Sequence, residues 1–338
     1  MTLAYGSVCS GIEAASVAWH PLGWCPRFFC EVDSFASSVL STHFPLVPNY
    51  GNLTQHTEWP DDKIDLLVGG TPCQSFSVAG LRRGMDDERG SLVLHYLGVA
   101  RKYKPRWVVW ENVPGVLSSG GGRDFGAFLG ALGNLGYGYA YRVLDAQYFG
   151  VPQRRRRVFV VGYLGDWRRA VSVLFEPDGL RGHTPPRRKT RQDATREVEG
   201  GSSYVARDVA PCPTANYGKQ VDSSDTGLGP NVVVHTVALR GREGGGTAEL
   251  GGTVATALRA SQGGGDKAYV LVDRVRRLTP VECERLQGFP DDWTRVGPTP
   301  KDGPRYKALG NSMAVPVMRW IGQGIDWVDT HPDLFSSK

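Results

Sequence analysis

One cysteine stands where a nucleophile would be useful. The apolar run Ile64 to Val68 leads through Gly69-Gly70-Thr71-Pro72 into Cys73-Gln74-Ser75. The glycines leave room for close approach, and Pro72 removes backbone freedom ahead of the thiol. Taken alone, such a thiol is either incidental or catalytic, since reactivity needs exposure and a lowered pKa. A second run, Trp107 to Trp110, ends in Glu111-Asn112-Val113-Pro114-Gly115. A carboxylic acid held protonated by burial donates to a ring nitrogen, and the same group ionised accepts from an exocyclic amine. That pair of roles matches the N3 and N4 edge of cytosine; the competing role for Glu111 is to cap a local turn. Third, Gln153-Arg154-Arg155-Arg156-Arg157 runs straight into Val158-Phe159-Val160-Val161. Strand alternation puts Arg155 and Arg157 on one face, where two guanidiniums favour a thiolate and bind a base O2 or a phosphate. Arg154 and Arg156 are then expected at the surface, and a purely solvated basic run is the alternative.

These groups need a scaffold. Strand candidates fall at Tyr5 to Cys9, Arg27 to Val32, Ile64 to Val68, Trp107 to Trp110 and Arg157 to Gly162, with a helical stretch from Ile12 to His20. Continuous apolar runs separated by helical pieces describe an α/β fold whose mostly parallel sheet is covered on both faces. Ligands of such sheets sit at the carboxyl ends of the strands. Gly11, Glu31, Cys73 and Glu111 therefore share one rim. Ser10-Gly11 gives the close approach that a small carboxylate or sugar needs, although Glu13 and Ala14 break a full GxGxxG pattern. Glu31 is suited to accept from ribose hydroxyls.

The formal charge is +5, but residues 151 to 200 alone carry twelve Lys or Arg against six Asp or Glu. A basic surface there either solubilises the chain or holds a polyanion. The six cysteines form no close CxxC pair of the kind that supplies zinc ligands, and a reducing compartment fits best. Cys9 and Cys30 read as core thiols. No long apolar span or basic leader is visible, so a soluble, cytoplasmic protein without membrane contact is expected.

Between about 166 and 272 the texture shifts to Pro, Gly and Ser, with thirteen glycines in residues 201 to 270. An internal echo occurs: Ala238-Leu239-Arg240 and Ala257-Leu258-Arg259 each precede a triple glycine. Each copy reads as a short strand leading to a loop, with disorder as the alternative. Val232 to Val234 and Tyr269 to Val272 argue for a small β domain. After Val275 the chain is compact again. Thr279-Pro280-Val281-Glu282 carries a capping box, and Ala314-Val315-Pro316 opens a last helix to Trp327.

At this point the sequence resembles the DNA cytosine-C5 methyltransferase family, bacterial or phage type, over most of residues 1–165 and 273–326. The resemblance rests on Thr71-Pro72-Cys73-Gln74-Ser75-Phe76-Ser77, Glu111-Asn112-Val113-Pro114-Gly115 and Val151-Pro152-Gln153-Arg154-Arg155-Arg156-Arg157. Later come Arg277-Leu278-Thr279-Pro280, then Glu282 with Arg285-Leu286-Gln287-Gly288-Phe289-Pro290, and Gly310-Asn311-Ser312-Met313 with Val315-Pro316. Six segments in this order are specific together where one would not be.

The resemblance implies a Rossmann-like catalytic domain over 1–165 that binds S-adenosyl-L-methionine, releases S-adenosyl-L-homocysteine, and is completed by 273–338. A smaller Gly-rich, β-containing target-recognition domain would occupy 166–272. Cys73 would add to cytosine C6 and activate C5, Glu111 would hold the N3 and amino edge, and Arg155 and Arg157 would contact O2 and position Glu111. The target carbon is shielded within a duplex, which implies base flipping. Cofactor contacts would fall to Ser10, Gly11, Ile12, Glu31, Val32, Asn52, Leu53, Pro72, Asn311 and Ser312. A closing loop would span Gln74 to Arg89, with Gln74, Ser77 and Arg89 meeting DNA; Arg240 and Arg259 are candidates for guanine or phosphate. The expected partner is double-stranded DNA, bound by a monomer, with or without a cognate restriction endonuclease. Departures from the family pattern are Cys9 for an aromatic, Glu13 and Ala14 for glycines, Asn52 for an acid and Val32 for an aromatic. A tRNA cytosine-5 methyltransferase of the same architecture and a non-catalytic DNA-binding module are the alternatives.

Overall fold

The computed structural model describes residues 2–72, 92–175, 207–209, 235–240, 247–254, 267–271 and 275–336. Its contacts divide the chain into two units: Met1–Leu144 with Arg156–Arg181 and Ser312–Lys338, and Asp145–Arg155 with Gly182–Asn311.

The first unit is built on strands β1 (Ala4–Val8), β2 (Cys25–Cys30), β3 (Leu66–Gly69), β4 (Trp107–Asn112), β5 (Tyr137–Asp145) and β6 (Arg156–Leu164), in the order β2-β1-β3-β4-β6-β5. β1 pairs in parallel with β2 and β3, and β3 with β4, whereas β6 runs antiparallel to β4. β3 and β4 are buried along their whole length, which is why they read as unbroken apolar runs. The carboxyl ends of β1 to β4 and the amino end of β6 consequently share an edge. The sheet is the expected α/β one, although β4 continues two residues further, so Glu111 and Asn112 lie within the strand.

One sheet face packs Val8, Leu67, Val108, Trp110 and Val160 with Tyr96 of α3 (Leu92–Tyr103) and Phe128 of α4 (Arg123–Asn134). On the other, α1 (Ala14–Trp19) and α5 (Trp167–Leu174) meet α8 (Val315–Thr330), the helix opened by Pro316. Two buried indoles hold α8: Trp19 of α1 donates to the Met318 carbonyl at 2.8 Å, and Trp107 of β4 donates to Asp329 at 3.1 Å. The helix α2 (Ser34–His43) starts where Asp33 accepts from the Phe35 and Ala36 amides.

The second unit holds a five-stranded sheet in the order β11-β10-β8-β9-β7, from β7 (Arg207–Val209), β8 (His235–Arg240), β9 (Thr247–Val254), β10 (Lys267–Leu271) and β11 (Val275–Arg277). The first Ala-Leu-Arg copy ends β8, while Val232 to Val234 and the second copy lie outside the described residues. Helices α6 (Pro280–Gln287) and α7 (Asp302–Asn311) belong to this unit. The capping box at Thr279 and Glu282 forms as expected. A buried cluster joins the two helices: Arg305 lies 3.1 Å from Glu284, and Thr294 donates its amide to the same carboxylate.

No helix among the described residues is long and apolar enough to cross a membrane.

Candidate active site

Cys73 lies outside the described residues, together with Gln74, Ser77, Arg89 and Arg259. The stem that delivers it is described. Trp110 Nε1 donates to Thr71 Oγ1 at 3.0 Å, and Asn112 Nδ2 donates to the Thr71 carbonyl at 2.9 Å. Asn112 Oδ1 then accepts from the Val113 amide at 2.8 Å. The segment leaving β3 is thus tied to the end of β4 two residues before Cys73. Pro72 follows, exposed at the edge.

Glu111 is buried on β4. A Cβ built on Gly70 would come within 2.9 Å of Glu111 Oε2 and 3.1 Å of the Met313 Cε methyl, so only glycine admits the carboxyl here. Arg157 Nε lies 3.0 Å from Glu111 Oε1, both side chains being about nine-tenths buried. Arg157 also donates to the Arg156 carbonyl. Glu111 is therefore more than the cap of a local turn.

Arg155 precedes β6 and is placed differently from Arg157. Its Nη1 donates to the Gly310 carbonyl at 3.2 Å, at the end of α7. Arg154, expected at the surface, is buried instead, and its charge acts on Asp145. Strand alternation fails for it because β6 begins only at Arg156.

Beyond the carboxyl ends of β1 and β2, Gly11 has φ +57 with open space where a Cβ would stand. Its amide donates to Glu31 Oε2 at 2.7 Å, and the Asp33 amide donates to Glu31 Oε1 at 2.8 Å. Both carboxylate oxygens are oriented by backbone and retain lone pairs for further donors. Val32 is 72% exposed beside them, whereas Ile12 and Leu53 are buried. Ser10 Oγ donates to the Ser7 carbonyl and accepts from the Cys30 amide. Asn52 caps the turn Leu53–Gln55 by accepting from the Thr54 amide at 3.0 Å. Ser312 is buried with its hydroxyl on the Met313 carbonyl, and Asn311 ends α7.

Two departures from the family pattern carry consequences. Cys9 takes a left-handed backbone, φ 49, and burial pushes its thiol up to about 12, so it is an inert wall. Glu13 is left-handed as well, φ 65, and is buried. Its carboxyl bonds Ser7 and Ser16, and burial pushes it up to about 8. Asp145, which the sequence reading passed over, accepts from the Arg155 amide through its carboxylate. A strand-end acid before the basic run was the available signal.

The described residues contain no cluster of three or more His, Cys, Asp or Glu able to hold a metal ion.

Comparison with known proteins adds the rest. The DNA N-6-adenine-methyltransferase of Escherichia phage P1 is 36% identical over 465 aligned positions, which cover 96% of this chain and 61% of that protein. Type II methyltransferase M2.BsuMI of Bacillus subtilis is 31% identical, with 94% of this chain and 74% of that one covered. A DNA modification methyltransferase encoded within an E. coli prophage shares the fold at TM-score 0.59 and 19% identity, over 97% of this chain and 100% of that one. The family model described as C-5 cytosine-specific DNA methylase matches residues 3–327, and the chain belongs to that family.

Proposed function

We propose that this chain transfers a methyl group from S-adenosyl-L-methionine to C5 of a cytosine turned out of double-stranded DNA, through a covalent bond between Cys73 and C6. The observation that carries the reading is the buried Glu111–Arg157 pair, set against Gly70 three residues before Cys73. The Cys73 thiolate adds to C6, and the ring's charge moves toward O2 and N3. Glu111 holds the N3 and amino edge, while Arg155 and Arg157 lie to the O2 side. Donors fixed where charge develops lower the barrier without reorganising. When bound, the cofactor supplies an electrophilic methyl on its sulfonium. With the methyl on C5 and S-adenosyl-L-homocysteine as the leaving group, C5 would lose its proton to water, and the electrons of that C–H bond would expel the Cys73 thiolate from C6.

The residues present fit a nucleoside cofactor. Glu31 is aimed by two amides and keeps acceptor capacity for ribose hydroxyls, and Gly11 leaves open space beside it. Exposed Val32 and the Asn52 turn are the other expected neighbours, with Pro72, Asn311 and Ser312. The Gly-rich segment 166–272 is proposed as the target-recognition region, with Arg240 and Arg259 facing DNA and the Gln74 to Arg89 loop closing over the base.

The name of the phage P1 relative speaks of adenine N6, and much of that protein lies outside the match. The test separates the chemistries: purified protein is incubated with duplex DNA, or with tRNA, and methyl donor, and the nucleosides are released and identified. 5-Methylcytosine in duplex DNA from wild type, and none from Cys73→Ala that still binds DNA, is expected. N6-methyladenine, label in tRNA alone, or turnover by Cys73→Ala overturns the reading.

A further inference from the structure

The second unit contains a clasp around Arg155. Asp145 Oδ1 accepts from the Arg155 amide at 2.9 Å, and the Ala146 amide donates to the Arg155 carbonyl at 3.0 Å. Both backbone polar groups of Arg155 are taken by two adjacent residues, ten and nine positions earlier. The intervening loop, with its turn Ala146–Phe149, is pinched shut at its base. Asp145 Oδ2 accepts from Gln147 Nε2 at 2.6 Å, which fixes the carboxylate plane.

A turn cap would use this acid differently. The local bond, from the Gln147 amide, is long at 3.4 Å, and the better bond goes to Arg155. Burying a carboxylate raises its pKa and costs free energy unless its acceptors are filled, so placement here demands a return. The guanidinium end is anchored separately. Nη1 donates to the Gly310 carbonyl, and α7 is itself held from α6, where Gln287 Nε2 donates to the Leu309 carbonyl at 2.7 Å and Glu284 pairs with Arg305.

We infer that Asp145 is a positioning residue, which fixes the backbone of Arg155 so that its guanidinium meets the flipped base. This rests on the reading in which Arg155 serves the O2 side. A fork that hydrogen-bonds in a set plane is sensitive to its root, and misplacement of a catalytic group by about 1 Å can slow a reaction about a hundredfold.

The test is a double-mutant cycle on single-turnover methyl transfer, with Asp145→Ala, Arg155→Ala, the double variant and Asp145→Asn. Loss of one donor to developing charge is expected to slow Arg155→Ala about a hundredfold. Asp145→Ala should fall about tenfold or more, and the double variant should be no slower than Arg155→Ala. Asp145→Asn keeps an oxygen for the Arg155 amide, so its rate should return to within about threefold of wild type. Multiplying losses in the double variant, or an Asn variant as slow as the Ala variant, overturns the inference. If Asp145→Ala does not fold, Asp145→Ser takes its place in the cycle under the same criteria. The cycle is read on whichever cytosine polynucleotide the wild type methylates, so failure on duplex DNA removes the substrate reading and leaves the coupling measurable.

Discussion

Arg157 Nε meets Glu111 Oε1 at 3.0 Å across two antiparallel strands, and the register explains why. Glu111 stands opposite Phe159, so Arg157, two residues earlier in β6, is its diagonal neighbour on the same sheet face. Breaking a buried pair by removing one partner costs about 3–5 kcal/mol, because the other charge is left unpaired. Arg157→Met should therefore lower unfolding stability in urea by about that much. The double variant Arg157→Met with Glu111→Gln should recover a large part of the loss while remaining inactive. Equal stabilities for the single and double variants would show that the pair is not formed in solution.

Gly70→Ala probes the same site from the other side. The added methyl must meet Glu111 Oε2 at 2.9 Å, and the Met313 methyl at 3.1 Å can give only in part. The carboxyl then moves off the base edge, with an expected loss of about a hundredfold in turnover. Methyl-donor affinity, measured by calorimetry, should stay unchanged. A variant that turns over like wild type places the Glu111 carboxyl elsewhere during catalysis.

Much of the scaffold was legible because parallel strands buried on both faces read as continuous apolar runs. That property exposed β1, β3 and β4, while β2, at the other sheet edge, was legible from its buried apolar end Phe28 to Cys30; together they gave the rim that carries Gly11, Glu31 and Glu111. β5 was missed for the opposite reason: it lies at the sheet edge, its burial is broken along its length, and Tyr and Gly fill it. The Arg157–Glu111 contact was legible only through the family resemblance, since alternation merely paired Arg157 with Arg155, and alternation fails for Arg154 and Arg155 because they precede the strand. Asp145 was visible only as a strand-end acid before the basic run; its bond to Arg155 spans ten residues and depends on loop closure, which a local pattern does not encode.

Asn52 tests the cofactor side. Its Oδ1 already caps the turn by accepting from the Thr54 amide, which leaves an amide where the family pattern has an acid. In Asn52→Asp one oxygen can keep the cap while the other accepts from an adenine amine with charge assistance. Calorimetry should show methyl-donor affinity rising about tenfold, equivalent to about 1.4 kcal/mol. Unchanged or weaker binding places the adenine away from residue 52.

Glu13 makes a prediction about stability and pH. Its carboxyl is 1% exposed, bonded to Ser7 and Ser16, and pushed from 4.5 up to about 8 chiefly by burial, with the charge of Glu31 adding to the rise. Below pH 4.5 the group is protonated in both folded and unfolded chains and contributes nothing to pH dependence. Between 4.5 and about 8 the unfolded chain releases the proton and the folded one keeps it, so stability falls as pH rises. Above about 8 both forms are ionised and the penalty stays constant. Glu13→Gln retains a neutral, hydrogen-bonding side chain and removes that slope. The separation is worth about 1.4 kcal/mol per pH unit, so thermal melts should show the variant gaining on wild type steadily from pH 5 toward 8. A difference that stays flat over that range means that Glu13 is ionised in the folded protein, and that its bonds to Ser7 and Ser16 outweigh the effect of burial.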